Sequence, residues 1–300
     1  METLAFKCIL DAQDPIAGLF WEPCRPILHV FQKAGREILI DVPLDSVCCC
    51  REIAALEGSE QLEWSPCGRY GAIARGGHLA VWNSRKNKVV PSPPGSGAIE
   101  RMVWRPNPQN SEGELWLATS TGLAVWSADG DYRIPCKEFR SETAALAWDP
   151  TGTYLARACK RGGLCVWNPR TNQEARLQWD GEYPIREFAW NSKGAMLAGA
   201  AANSLFVWSI PAALHGKTHA RFVRRLNAPV SRLAFRPGSN MLVVGSIDGG
   251  LELLRAVESS EAPRCAQLGA AVSHMAWSAH GKQLAVATSL GQVHAMRVCK

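Results

Sequence analysis

The stretch LAWDPTGTYLARACKRGGLCVWNP (Leu146–Pro169) decides the fold. Its apolar residues alternate or come in short runs, and each run stops at Gly, Pro, Asn or a basic pair. That is the grammar of strands and turns, not of a helix with a 3.6-residue period. ALAWDP reads as a strand and TG as a turn. TYLARAC is a second strand, KRGG a turn, and LCVWNP a third strand. RTNQ then turns the chain into EARLQW, a fourth.

The same phrase recurs along the chain. LFWEP, LEWSPCG, MVWRPNP, LAWDPTG, FAWNSKG, LAFRPGS and MAWSAHG place an aromatic at Trp21, Trp64, Trp104, Trp148, Trp190, Phe235 and Trp277. The intervals are 43, 40, 44, 42, 45 and 42 residues. A period of this size marks a repeat architecture in which each unit buries its core only against its neighbours. A second set of tryptophans, Trp82, Trp126, Trp167 and Trp208, closes the third strand of four repeats, so ten of the 12 tryptophans fall on two equivalent places. A large flat ring at the same point of successive units fills the wedge between radially arranged sheets. These eleven aromatics are therefore read as structural.

The openings of the LAWDPTG type and the closings LAVWN (Leu79–Asn83), LAVWS (Leu123–Ser127), LCVWN (Leu164–Asn168) and LFVWS (Leu205–Ser209) resemble WD-repeat β-propellers over essentially all 300 residues. The resemblance implies an all-β, seven-bladed ring in a single domain, residues 1–300, with blades starting near 16, 59, 99, 143, 185, 230 and 272. Residues 1–12, TLAFKCIL among them, precede the first repeat, and the last repeat supplies three strands. The expectation is that the N-terminal segment closes the ring as the outer strand of the last blade. The chain departs from the family pattern. It lacks the Gly-His before the first strand, and Trp-Asn or Trp-Ser stands where Trp-Asp is usual. The tight-turn Asp is clear at Asp248 alone, so apolar packing is expected to hold the blades. Residues 81–106, the Ser120–Ser127 turn and the closing GQVHAMRV (Gly291–Val298) are also similar to aladin-type nucleoporins, which implies membership of a nuclear-pore scaffold.

The composition is 47% hydrophobic and 20% charged, enough apolar residues for a core. No apolar run approaches the ~20 residues of a spanning helix, and METLAFKCIL does not read as a secretory signal. Eleven cysteines form no regular framework. An intracellular protein, cytoplasmic or nuclear with the nuclear envelope included, is expected. There is no His-Glu-x-x-His, no Walker loop and no Cys-x-x-Cys. Neighbours in Cys48–Cys50 point to opposite faces of a strand and do not share one ion. No catalytic residue, metal or cofactor is assigned. The innermost strands are rich in small apolar residues, so no polar cluster is expected in the central channel.

A non-enzymatic protein-interaction scaffold follows, present as one copy in a larger hetero-complex. Its candidate partner-binding loops are two insertions expected on the same face. One carries Asn107, Gln109, Asn110 and Glu112; the other carries His215, Lys217 and His219. Net charge is +6, with basic residues scattered over turns. Arg85, Lys86, Lys88 and Arg170 are the candidate basic surface of the alternative reading, an RNA-binding or RNP-assembly propeller. Solvated turns are the favoured account of these residues. Ser92, in the Pro-rich linker VVPSPPGSG, is a candidate phosphorylation site.

Overall fold

In the computed structural model the described residues are 5–22, 25–42, 46–52, 61–75, 78–84, 86, 88–91, 98–106, 113–127, 132–136, 142–255 and 262–298. They form seven four-stranded antiparallel sheets. Blade 1 is Ile16–Trp21, Ile27–Gln32, Arg36–Asp41 and Ser46–Glu52; blade 2 is Gln61–Trp64, Tyr70–Arg75, His78–Asn83 and Lys88–Pro91. Blade 3 runs Ile99–Arg105, Glu114–Thr119, Gly122–Ser127 and Tyr132–Cys136. Blade 4 is Thr143–Trp148, Leu155–Cys159, Leu164–Asn168 and Gln173–Leu177. Blade 5 is Glu187–Trp190, Met196–Ala201, Ser204–Ser209 and Arg221–Arg225; blade 6 is Val230–Phe235, Leu242–Ser246, Gly250–Leu254 and Arg264–Gln267.

Blade 7 takes three strands from the end of the chain, Val272–Trp277, Gln283–Thr288 and Gln292–Arg297, and its fourth from the beginning, Lys7–Asp11. Lys7 faces Ala295 and Asp11 faces Gln292, with a bulge between Cys8 and Leu10. The ring is therefore closed by its own N-terminus, which covers an edge that would otherwise stand unpaired.

The buried apolar side chains of the described residues form seven clusters, each shared by two neighbouring blades. Alternation explains this. One face of each sheet packs on the preceding blade and the other on the following one, so both faces are apolar. Trp82, Trp126, Trp167 and Trp208 sit buried in these seams. So do Trp21, Trp104, Trp148, Trp190 and Phe235, while Trp64 and Trp277 are half-buried.

Hydrogen bonds tie the seams as well. The indole N–H of Trp21 donates to the Ala276 carbonyl at 3.0 Å and that of Trp104 to Glu63 at 3.0 Å. Trp190 reaches Ala147 and Trp277 reaches Ala234, each at 3.3 Å. In all four the acceptor is the residue just before the preceding blade's aromatic. The residue after the aromatic shapes the next turn. Ser65, Asp149, Asn191 and Ser278 accept the backbone N–H groups that open the second strand of their own blade. The Trp-Asn closings keep a turn function too. Asn168 Oδ1 accepts from the amide of Arg170 at 2.9 Å, as an Asx turn requires.

Candidate functional site

Antiparallel order puts the first-to-second and third-to-fourth turns of every blade on one face of the disk. The second-to-third turns lie on the other. The insertion in blade 5 follows the third strand. Ser209 leads into a short helix, Ile210–Leu214, with Pro211 in its first turn, where a missing N–H costs nothing. Ile210 and Ala213 are buried against blade 4. Beyond the helix the chain is pinned. Gln178 donates its amide to Thr218 O at 2.9 Å and accepts from the Ala220 amide at 2.8 Å and the Trp208 indole at 2.9 Å. The tips stay in solvent: His215, Lys217 and His219 are all exposed. His215 Nδ1 lies 2.7 Å from the Pro211 carbonyl.

Asn107, Gln109, Asn110 and Glu112 lie outside the described residues, as do Arg85 and Ser92. Lys86, Lys88 and Arg170 are exposed. Lys86, Arg170 and Lys217 occupy third-to-fourth turns and so share a face. Blade 3 stands between the blades that carry Lys86 and Arg170.

The expectation of an apolar channel is corrected by the structure. A cavity of ≈ 520 Å³ lies at the centre of the ring and is lined by residues of all seven inner strands. Among them are Glu63, Arg101, Arg186, Glu187, Arg232 and His274. A recurrent bulge aims Arg101, Arg232 and His274 there. The ladder of the inner strand slips between Ile16 and Gly18, Ile99 and Arg101, Thr143 and Ala145, Val230 and Arg232, and Val272 and His274. In blade 5 the Arg186 amide and the residue pair of Glu187 both fall on Ala200. An extra residue in an inner strand bends it and turns side chains out of the seam.

The charges in this cluster act on one another across blades. Burial within the ring raises the Glu63 carboxyl to about 7, against the pull of Arg232, with the Glu187 carboxylate pushing it further up. Burial also raises Glu187 to about 7, opposed by Arg232, a backbone hydrogen bond from Leu233, and Arg101. Arg232 Nη1 stands 4.0 Å from Glu187, the outer limit of an ion pair, and donates to the Ser231 carbonyl at 2.6 Å. Burial, Arg232 and Lys33 together lower His274 to about 3, so its ring is neutral at pH 7. Both carboxyls are deep in the ring yet open to channel water, which screens them more than a dry interior would.

The signal for this cluster was present as a column. Three residues before each aromatic stand Gly18, Gln61, Arg101, Ala145, Glu187, Arg232 and His274. Five of these seven are polar, and reading each strand alone hides the column; Glu63 and Arg186, which also line the channel, fall outside it.

No family model matches the chain, and no curated protein matches it. Solved structures do. The WD40 repeats of RRP9 superpose over 99% of both chains at a TM-score of 0.76 and 15% identity. U3-55K superposes over 98% of both chains at a TM-score of 0.74 and 14% identity. The fold is a seven-bladed WD40-type propeller. In blade 6, Asp248 Oδ1 accepts from the Ser246 hydroxyl at 2.5 Å and from the Gly250 amide at 3.1 Å, which fixes the turn between the second and third strands.

Proposed function

We infer that this propeller is a non-enzymatic protein-interaction scaffold, one subunit of a larger intracellular assembly. The observation that carries the reading is the blade 5 insertion. Its short helix packs on blade 4 through Ile210 and Ala213, and Gln178 holds the backbone beyond the helix at Thr218 and Ala220, while His215, Lys217 and His219 project into solvent. A loop already held in place loses little entropy on binding, which is what a recognition loop on a rigid frame needs. The finer form of the proposal places the assembly at the nuclear pore, on the resemblance in residues 81–106 and 291–298. No helix among the described residues is long and apolar enough to cross a membrane.

A second reading, contact with RNA, is favoured by one feature. On the outer strand of blade 5, Phe222 is 53% exposed, with Arg221 and Arg225 exposed beside it. Exposed rings flanked by guanidinium groups stack bases and hold phosphates. One experiment separates the two. Tagged protein is purified under native conditions with and without nuclease, beside a His215→Ala/Lys217→Glu/His219→Ala variant. The scaffold reading expects a stoichiometric set of proteins that survives nuclease and is depleted by the variant. Recovery that collapses on nuclease, with the variant unaffected, overturns it in favour of RNA.

A further inference from the structure

We propose that the central channel is a binding site for a small molecule carrying a diphosphate, gripped by Arg186 and Arg232 beside Arg101. This goes beyond the scaffold reading and does not depend on it.

The space is of ligand size. At ≈ 520 Å³ it falls within the several-hundred-Å³ range of small-molecule pockets and exceeds what one phosphate would fill. Guanidinium groups from blades 3, 5 and 6 line it, and the planar fork of Arg suits phosphate oxygens. They are not equivalent. Arg101 is a structural member of the wall: its Nε donates to Ala144 O at 2.7 Å and its Nη1 to Glu100 O at 2.6 Å, tying blade 3 to blade 4. Arg232 spends one nitrogen on a carbonyl and stands at the limit of contact with Glu187, so most of its donors remain. Arg186 is exposed to the channel and makes no side-chain hydrogen bond or ion pair among the described residues.

Even when both are ionised, the Glu63 and Glu187 carboxyls leave one of the three guanidinium charges in the lining uncompensated. Glu63 and Glu187 repel one another across the channel, and each takes up a proton near neutrality. His274 stays neutral, and Lys33 adds positive charge near it. Glu100 is occupied elsewhere, accepting the Thr143 amide at 2.7 Å. The balance is three fixed positive charges against two carboxyls that are readily silenced, so an anion of two phosphates is the complementary occupant. The bulges lie at the start of the inner strands, nearer the face of the second-to-third turns. The ligand would then enter opposite the blade 5 insertion, leaving that loop free.

The sign of the pH dependence follows. An anion in the channel favours protonated Glu63 and Glu187, so binding takes up protons and tightens as pH falls from 8 to 6. Sulfate, which does not titrate in this range, is the probe for that arm.

Calorimetry on the full chain tests the proposal with inorganic pyrophosphate, adenosine diphosphate and sulfate. One site per chain is expected. Arg186→Gln and Arg232→Gln should each weaken pyrophosphate about tenfold or more, with the near-ultraviolet signal of the tryptophans unchanged. Glu63→Gln/Glu187→Gln should strengthen binding at pH 8 and flatten the pH dependence of sulfate affinity. This gain of binding cannot come from misfolding. Tighter binding of adenosine diphosphate than of pyrophosphate would assign the rest of the channel to an organic group; the reverse would assign the site to free diphosphate. No saturable heat from any probe at millimolar concentration overturns the proposal. So does pyrophosphate binding that both folded Arg variants leave unchanged.

Discussion

Two seams of the ring show the same repeat position held in different ways. At the seam of blades 6 and 7, the Trp277 indole donates to Ala234 O, and Arg236, the residue after Phe235, donates from Nε to Gly281 O at 2.7 Å. At the seam of blades 3 and 4, Arg105 makes the matching reach, from Nε to Gly152 O at 2.8 Å, but the Trp148 indole N–H is buried without a partner. There the ring turns its face instead to Arg105, whose guanidinium carbon sits 4.7 Å from the ring centroid, and it meets Trp116 in a T-shaped contact with centroids 5.0 Å apart. Arg105 also pairs with Glu114 at 3.1 Å. One arginine does at this seam what an indole and an arginine share at the other. The lesson is that an identical residue in an identical register serves the neighbour it meets. Gly152 marks how close that approach is: with φ +67° its missing Cβ would fall on the Pro106 carbonyl oxygen.

The largest effect should come from the seam closed by chain ends. Removing residues 1–12 strips blade 7 of its outer strand and takes away Ile9 and Leu10, which pack on the cluster between blades 7 and 1. Loss of two partly buried aliphatic side chains and a ladder is worth about 4 kcal/mol, or roughly 10 °C in Tm for a chain of this size. A melt within a degree or two of the intact protein would remove the N-terminal strand from the list of closures.

Arg105→Ala should cost about 3 kcal/mol, since it takes a charge-assisted hydrogen bond and a cation–π contact together. Arg236→Ala should cost about half of that, because the Trp277 bond remains. Urea midpoints measure both, and equal losses would break the contrast between the seams. A finer version compares Trp21→Phe with Trp148→Phe. Both side chains are 5% exposed, so the loss of ring area is alike. Only Trp21 gives up an acceptor, and it should lose about 1 kcal/mol more. Identical losses would mean that the indole bonds carry no net stability.

The smallest effect lies in the channel. Glu63 and Glu187 have folded pKa values of about 7, above the ordinary 4.5 of an unfolded chain. Between those values the folded state holds more protons, so these groups make stability fall as pH rises toward 8. His274 and His294, lowered by burial, act the other way below about 6.5, where the unfolded chain protonates first. The wild type should therefore gain a little Tm from pH 8 to 7. Glu63→Gln/Glu187→Gln should lose that gain, and a slope unaltered by the double substitution would show channel water fully solvating both carboxyls.

Much of the fold was legible, because it is written locally. The 40-to-45-residue period, the turn residues and the aromatic at each strand end are properties of one repeat at a time. The odd fourth strand of blade 7 followed from counting strands. The Arg-Pro after the aromatic in MVWRPNP and LAFRPGS was visible too, but its meaning was not, since Gly152 and Gly281 lie 47 and 45 residues further on. The blade 5 insertion was legible as a loop. That Gln178 of the neighbouring blade pins it was not.

The sequence by itself determined the number of blades, the strands within each, the aromatics between them and the closure by residues 1–12, since all of these depend on local periodicity. Only the tertiary structure decided what the seven inner strands bring to the axis. Arg101, Glu187, Arg232 and His274 stand more than 40 residues apart along the chain. They become neighbours when the ring closes and a bulge turns each of Arg101, Arg232 and His274 inward, because charges act through distance in space and not through position in the chain.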